Sequence, residues 1–294
     1  MKPGPRALLA ALGAALLAAA CSSAPRDRGP GEEFGMRDVA ETQLAHGNRQ
    51  ADRGNLADAL ALLDEAVRFA VLADDSGLRA RAGLSRANVL LSLGHADRAE
   101  AGWAEAYAEA QRSGNRELIA LSRVHIARGR LLSAIGGGAD GAGEVAQSVL
   151  DEVAGEMGAL RAPLHEAFAW TVRGRAEGEL RRFAEAEAAL RRSLAIHERT
   201  QHFELAAFDW FMIASFRSRA GDVAGARQAL ESSMALDRRV ENSWGLAWSW
   251  RALGDIEARA GNAEAASAAY RRAADIFRAM GQHEAAEDAL ARAG

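Results

Sequence analysis

Two His-Glu pairs are the residues of this 294-residue chain that come nearest to a metal or catalytic motif. The pairs at His165 and His283 begin like the zinc motif HExxH, but Ala169 and Glu287 stand where the second histidine is required. Neither pair therefore places two histidines on one helical face. With no nucleophile, acid and base at workable spacing elsewhere, we expect no enzyme activity, no metal and no cofactor.

Two further residue sets have ordinary explanations. Gly136, Gly138 and Gly141 satisfy GxGxxG, the dinucleotide-binding pattern, which is meaningful only after a strand. The residues before this pattern have a helical period, so we expect a lengthened, mobile loop between helices. His197 and His202 are five residues apart, which does not suit shared ligation, and we expect both at the surface.

The N-terminal residues have the composition of a signal peptide. Lys2 and Arg6 precede residues 7–20, which are only Ala, Leu and one Gly. This run is too short to span a bilayer comfortably. Cys21 follows it and is the only cysteine of the chain, which excludes an intramolecular disulfide and a cysteine-based metal cluster.

The sequence Ala18-Ala19-Ala20-Cys21 resembles the lipobox of bacterial lipoproteins. That resemblance implies removal of residues 1–20 and acylation of Cys21, with palmitate among its chains, to give a stable membrane anchor. Ser22 lacks the aspartate of an inner-membrane retention signal, so the resemblance implies an outer membrane position facing the periplasm. The alternative is an ordinary secretory signal, because Ala18-x-Ala20 is also an A-x-A cleavage site.

The composition beyond this segment is that of a globular protein. The chain has 49% apolar and 26% charged residues, a net charge of -4 and a pI near 6.0, which disfavours nucleic acid as a partner. Residues 21–36 contain prolines, glycines and charges and predict a solvated tether. Residues 37–294 form the expected folded domain.

Small residues recur through that domain at a fixed interval. Four of the five intervals between the leading alanines are 40 residues and one is 47, which predicts a repeat protein. Small residues in the first half of each repeat predict sites where helix backbones touch. The leading alanines are Ala59, Ala99, Ala146, Ala186, Ala226 and Ala266, and the first-half residues are Gly47, Ala87, Gly129, Gly174, Ala214 and Gly254.

The pattern Trp250-x2-Leu253-Gly254, followed by Ala266-x3-Tyr270, resembles the tetratricopeptide repeat in its long-period form. This resemblance implies an all-α fold, a right-handed α-solenoid of about six helix-turn-helix repeats. A helix from Gln282 to Ala293 would cap the C-terminal end. The tryptophans at 40-residue spacing, Trp170, Trp210 and Trp250, are expected in the core.

In this family the first helix of each repeat lines a concave groove, and positions two and nine of the unit face a ligand. The resemblance implies that asparagines hold a peptide backbone, arginines bind carboxylates and aromatic rings offer a stacking surface. The alternative for the aromatic residues is packing between repeats. The candidate groove residues are Asn48, Arg81, Asn88, Arg123, Arg130, Phe168, Arg175, Phe208 and Trp248.

The sequence thus predicts a membrane-tethered adaptor or scaffold without chemistry of its own. Its groove would bind a peptide segment or partner protein in the bacterial cell envelope. The alternative is a small-molecule or carbohydrate-binding component of the envelope, which the row of aromatic residues favours. The oligomeric state is not fixed by the sequence.

Overall fold

The computed structural model describes residues 35–136 and 141–294, and the predicted signal peptide and most of the tether lie outside them. Within the described residues the chain forms thirteen α-helices, one 3-10 turn at Met157–Ala159 and no strand. The helices are α1 (Met36–Asp52), α2 (Leu56–Leu72), α3 (Ser76–Ser92), α4 (Ala96–Ser113), α5 (Arg116–Gly136), α6 (Ala142–Glu156), α7 (Pro163–Glu179), α8 (Phe183–Arg199), α9 (Phe203–Arg219), α10 (Val223–Arg239), α11 (Ser243–Arg259), α12 (Ala263–Ala279) and α13 (His283–Arg292).

The helix starts reproduce the sequence period. Helices α1, α3 and α5 begin 40 residues apart, and α7, α9, α11 and α13 again begin 40 residues apart. The one interval of 47 residues falls in the third pair, where α5 has 21 residues and its counterparts have 17. The prediction of an all-α fold of six helix pairs and a final short helix is confirmed. Part of the expected loop insertion is therefore helix, since α5 extends to Gly136.

Left-handed residues end most of the helices. Gly54, Gly94 and Gly261 have φ near +80°, and the amide two residues after each helix donates back into the last turn. Arg181 adopts φ +60° in the turn before α8, where the sequence offers no glycine. Arg181 thus adopts the same left-handed backbone conformation as the glycine of other turns. Its Cβ makes this conformation sterically unfavourable.

The described residues fall into two compact units, one ending at Leu180 and the other spanning Arg181–Gly294. In the first unit each helix packs on the next, and α1, α3, α5 and α7 also contact one another in series. In the second unit α9 contacts α11 in the same way, and α13 packs on α12. Each unit is therefore a stack of helix pairs in which the first helices form one wall.

Small residues bring the paired helices together. All six leading alanines are buried, as the repeat spacing predicts. A Cβ on Gly47 would lie 2.7 Å from Leu63 Cγ, and a Cβ on Gly254 would lie 2.5 Å from Tyr270 Cδ1. Both contacts join the two helices of one pair, so these glycines are required for the close approach.

Gly129 makes a different contact. It packs against the indole of Trp103, which belongs to the preceding pair, and a Cβ there would overlap the six-membered ring. The third pair thus touches the second through a glycine on a flat aromatic surface.

The three periodic tryptophans are half-buried, and the expectation that they form the core is wrong. Each indole carries an arginine side chain over its ring: Arg173 over Trp170 at 5.4 Å, Arg191 over Trp210 at 5.4 Å and Arg272 over Trp250 at 4.6 Å. One face of each ring is therefore covered by a guanidinium group.

One carboxyl group of the second unit is buried at the end of α10. Asp237 accepts a hydrogen bond from Asn242 Nδ2 at 2.7 Å, and the Asn242 side chain in turn accepts from the Gly245 amide. Burial, with the nearby charge of Glu204, raises the pKa of Asp237 from 3.8 to about 7, against the opposing effects of Asn242 and Arg238. The folded state therefore binds a proton here that the unfolded chain releases near pH 4.

We expect Gly129→Ala to lower the free energy of unfolding by about 1 to 2 kcal/mol, because overpacking against Trp103 outweighs the better helix propensity of alanine. Gly136→Ala, in the same helix with open space around its Cα, is the matched control and should be neutral or stabilising. Urea denaturation of both variants measures the difference. Equal stability of the two variants would show that the Trp103 contact is not close.

We expect Asp237→Asn to remove a pH dependence of stability. A raised acid pKa contributes stability that is full below about pH 4 and lost as the pH rises to about 7. Between these limits the wild type should lose about 2 to 4 kcal/mol more than the variant, since one pKa unit corresponds to about 1.4 kcal/mol. Parallel slopes for the two proteins in denaturation at pH 5, 6 and 7.5 would contradict this assignment.

Candidate functional site

The wall of first helices in the first unit carries a row of polar residues. Counted from each helix start, the thirteenth residue of α1, α3, α5 and α7 is polar in every case. We call these four residues the inner row: Asn48, Asn88, Arg128 and Arg175.

Arg130 does not belong to this row, so the sequence-based register was wrong by two residues in the third pair. That register was anchored on Gly129, which contacts Trp103 of the second pair instead of its own partner helix. The same shift replaces Arg123 by Leu121, which is buried, in the row that contains Arg81 and Phe168.

All four inner-row side chains are buried, each at most 8% exposed. Asn88 Oδ1 accepts hydrogen bonds from Trp103 Nε1 at 3.1 Å and from Arg128 Nη1 at 3.4 Å. The Nδ2 atom of Asn88 is buried and has no hydrogen-bond partner. An amide with a satisfied acceptor and an unsatisfied donor retains the capacity to bind one more acceptor.

His125 lies one turn from Arg128 and is also buried. Its ring packs on Phe168 with centroids 4.3 Å apart, and its Nδ1 atom has no partner. Burial and the charge of Arg128 lower the pKa of His125 well below its usual value, so the ring is neutral at pH 7. Phe168 is 1% exposed and is therefore a packing residue, not a surface on which a ligand stacks.

Positive charge is concentrated in the inner row. Burial, followed by the neighbouring charge of Arg175, lowers the pKa of Arg128 to about 9, which still leaves it charged at neutral pH. The guanidinium also lies 6.0 Å from the centre of the Phe168 ring. The two guanidinium groups therefore lie close enough for their charges to interact.

The remaining arginines that the sequence singled out take part in ion pairs. Arg81 on α3 lies 3.9 Å from Glu41 on α1, which is along the wall. Arg123 pairs with Glu156 at 2.6 Å, and Arg130 pairs with Glu152. Both of these glutamates belong to α6, so Arg123 and Arg130 face the second helix of their own pair and not the wall.

In the second unit the aromatic candidates are packing residues to different degrees. Trp248 is buried, with its ring 5.3 Å from that of Phe277, while Phe208 is half-buried. At the inner-row position of α11, Asp255 accepts hydrogen bonds from Tyr270 Oη at 2.8 Å and from Arg292 Nη1 at 3.3 Å. This carboxylate is satisfied by groups of its own unit.

His197 is buried, so its predicted surface position is wrong, and His202 is half-buried. The His197 Nδ1 atom lies 2.7 Å from Asp209 Oδ2 and 3.4 Å from Ser193 Oγ. A catalytic triad requires the serine on the ring nitrogen opposite the carboxylate. Here both groups meet the same nitrogen and Nε2 is buried without a partner, so the arrangement is structural.

An open cleft of about 760 Å³ lies beside the start of α5. Its Glu117 accepts hydrogen bonds from the amides of Arg161 and Ala162 at 2.8 and 2.7 Å and lies 2.8 Å from His165 Nδ1. Although burial opposes ionisation, these donors lower the pKa of Glu117. The carboxylate therefore fixes the start of α7. The lining residues are Asn115, Arg116, Glu117, Ile119, Arg123, Gly155, Glu156, Gly158, Ala159 and Arg161.

Across residues 35–136 and 141–294, no group of three His, Cys, Asp or Glu side chains is placed to hold a metal ion. None of the helices in this part of the chain combines the length and apolar character needed to cross a membrane.

The comparisons with known proteins agree with the helix pairs. Residues 204–279 match the family model described as Tetratricopeptide repeat. A search of curated protein sequences finds no match.

Two solved structures share the fold. A Rap protein complexed with Competence and Sporulation Factor is similar over 89% of this chain and 75% of its own, with 14% identity and a TM-score of 0.61. BtubC (BKLC) from P. vanneervenii is similar over 82% of this chain and 92% of its own, with 21% identity and a TM-score of 0.52. At these identities the likeness shows the fold alone.

The repeated helix pairs and the wall of first helices define an α-helical repeat protein. The matched residues contain the fifth and sixth pairs, and the same pair recurs upstream at the same period. The matched part of the chain is therefore built of tetratricopeptide repeats. Its fold is of a kind used for protein interaction, as adaptor or scaffold.

Proposed function

We propose that the protein is a membrane-anchored adaptor of the bacterial cell envelope. Its inner row would bind a peptide segment or partner protein through a carboxylate group. The lipid anchor would be Cys21, and the domain would face the periplasm from the outer membrane. The tetratricopeptide fold supports the binding role, and the lipobox-like residues before Cys21 support the anchor.

The observation that supports the binding role is a pair of buried polar atoms, one in the inner row and one beside it, that have no hydrogen-bond partner. Asn88 Nδ2 and His125 Nδ1 are buried without partners, beside the positive charges of Arg128 and Arg175. Leaving buried polar atoms unpaired costs free energy that packing does not recover. A carboxylate would accept a hydrogen bond from Asn88 Nδ2, which has no partner, and its charge would be attracted by the neighbouring guanidinium groups.

The similarity to the Rap protein complexed with Competence and Sporulation Factor supports this proposal at the level of fold.

The alternative, a binder of small molecules or carbohydrates, depends on exposed aromatic rings. Phe168 and Trp248 are buried, and Phe208 is half-buried. The row of aromatic residues therefore offers little stacking surface, and the polar inner row favours a peptide or protein.

We expect Arg128→Met and Arg175→Met each to weaken partner capture about tenfold or more, because a charge-assisted contact contributes about 1.5 to 3 kcal/mol. The free energy of unfolding is measured beside capture, because removing one member of a buried polar contact is itself destabilising. Asn88 keeps its bond from Trp103 in the Arg128 variant.

Arg130→Ala is the matched control, two residues away on the same helix in an exposed ion pair. It should change capture little and stability by less than about 1 kcal/mol. Capture from solubilised envelopes, quantified by mass spectrometry, and thermal melts measure the two effects. A loss of capture with Arg130→Ala equal to that with Arg128→Met would place the site elsewhere.

We expect Cys21→Ser to leave the domain folded and to release it from the membrane fraction. Acyl chains on Cys21 would supply the membrane affinity, and two or more chains give stable anchoring. Fractionation and the intact mass of the mature N-terminus check this. An unmodified Cys21 in native protein would establish simple secretion instead.

A further inference from the structure

Exposed apolar side chains gather at one end of the first unit. Among the described residues four large apolar side chains are exposed: Met36 at 50%, Val71 at 50%, Leu72 at 56% and Leu290 at 39%. The first three lie at the start of α1 and the end of α2. We call Met36, Val71 and Leu72 the apolar end patch.

The two helix ends that carry this patch are held together. Arg37, next to Met36, lies 3.4 Å from Asp75, which follows α2. Arg79 Nη2 donates to the Val71 carbonyl at 3.1 Å, and the Asp75 amide donates to Ala70 at 3.1 Å. The backbone at the end of α2 is therefore satisfied within the unit, and the patch is a fixed surface of side chains.

The opposite end of the repeat series differs. There α13 buries Ala286 and Ala289 on α12 and exposes His283, Glu284 and Glu287. Terminal repeats of such proteins carry a polar outer face because no further repeat covers them. The apolar end patch instead exposes three large apolar side chains, so it is suited to contact with something apolar.

We infer that the apolar end patch rests on the lipid bilayer, an inference that depends on the proposed anchor at Cys21. Residues 22–35 would join that anchor to α1 and span at most about 50 Å. This tether holds the patch near the bilayer, where a weak contact is favoured by a high effective concentration. Ala24 and Phe34 are its only apolar residues besides glycine and proline, so it offers little to cover the patch.

The contact is apolar and not electrostatic. Arg37 and Arg68 flank the patch, and their charges are balanced by Asp75 and Glu65 respectively. Binding would therefore depend little on anionic lipid or salt, in contrast to basic interfacial helices.

Site-specific fluorescence quenching tests this orientation. The thiol of Leu72→Cys carries an environment-sensitive fluorophore, and vesicles of phosphatidylethanolamine and phosphatidylglycerol contain a nitroxide lipid as quencher. Asp58→Cys is the matched control, exposed in the first turn of the same helix and about 20 Å away. We expect at least threefold stronger quenching at position 72 than at position 58.

Two forms of the full mature chain carry each probe. One is the lipidated protein, in which Cys21 is acylated and does not react with the fluorophore. The other has Cys21→Ser and an N-terminal hexahistidine bound to a nickel-chelating lipid, so its tethering does not require acylation. If the first form fails to float with vesicles, the anchor proposal fails, and the second form still tests the patch.

Equal quenching at positions 58 and 72 in the nickel-tethered form would overturn the inference. A disulfide between two Leu72→Cys chains, together with a doubled mass in solution, would also overturn it and assign the patch to a second copy. Stronger quenching at position 72 in both forms, unchanged at high salt, is the expected result.

Discussion

The close approach of paired helices through small side chains is the constraint on which the structure depends. The six leading alanines are buried, and glycines such as Gly47 and Gly254 lie against side chains of the partner helix. When two helix backbones come this near, most positions between them have room only for small side chains. Large side chains such as Leu63 and Tyr270 fit between paired helices only opposite a glycine, and others, such as Trp103 and Phe168, lie at contacts between successive pairs.

Each first helix consequently has three different faces. One face holds small residues against its partner, a second packs on the neighbouring pairs, and a third forms the wall. The inner row lies where the second and third faces meet, which explains how its four side chains are polar and also buried. A residue at that position must find a hydrogen-bond partner in its own unit, or leave polar atoms for a ligand to satisfy.

Most of the fold was predictable because helix period, alanine spacing and turn residues all report the same repeat. The site was less predictable, because the third pair departs from that period inside a helix. Residues two apart on a helix point about 200° away from each other. Anchoring the register on Gly129 therefore selected Arg130, which faces Glu152 on α6, instead of Arg128, which faces Asn88 on the wall.

Pairing and burial of polar groups were also hidden from the sequence. His197 reads as a surface histidine at a helix end, but Asp209 on the next helix supplies a partner that makes its burial possible. Trp170, Trp210 and Trp250 read as core residues because of their size and period. Their arginine neighbours lie over one face of each ring, a contact that depends on side-chain direction and not on spacing.

The polar side chain at the inner-row position has all its hydrogen-bond partners in one unit and lacks one in the other. This difference supports a binding site in the first unit. In the second unit Asp255 is satisfied by Tyr270 of its own pair and by Arg292 of the terminal helix. In the first unit Asn88 and His125 keep unpaired polar atoms beside two buried guanidinium groups. Selection for stability alone would favour hydrogen-bonded polar groups in both units, because a buried polar group without a partner costs more free energy. The polar atoms without partners lie in the unit that carries the apolar end patch. The inner row and the patch therefore belong to one stack of helices. A partner held there would be kept near the bilayer.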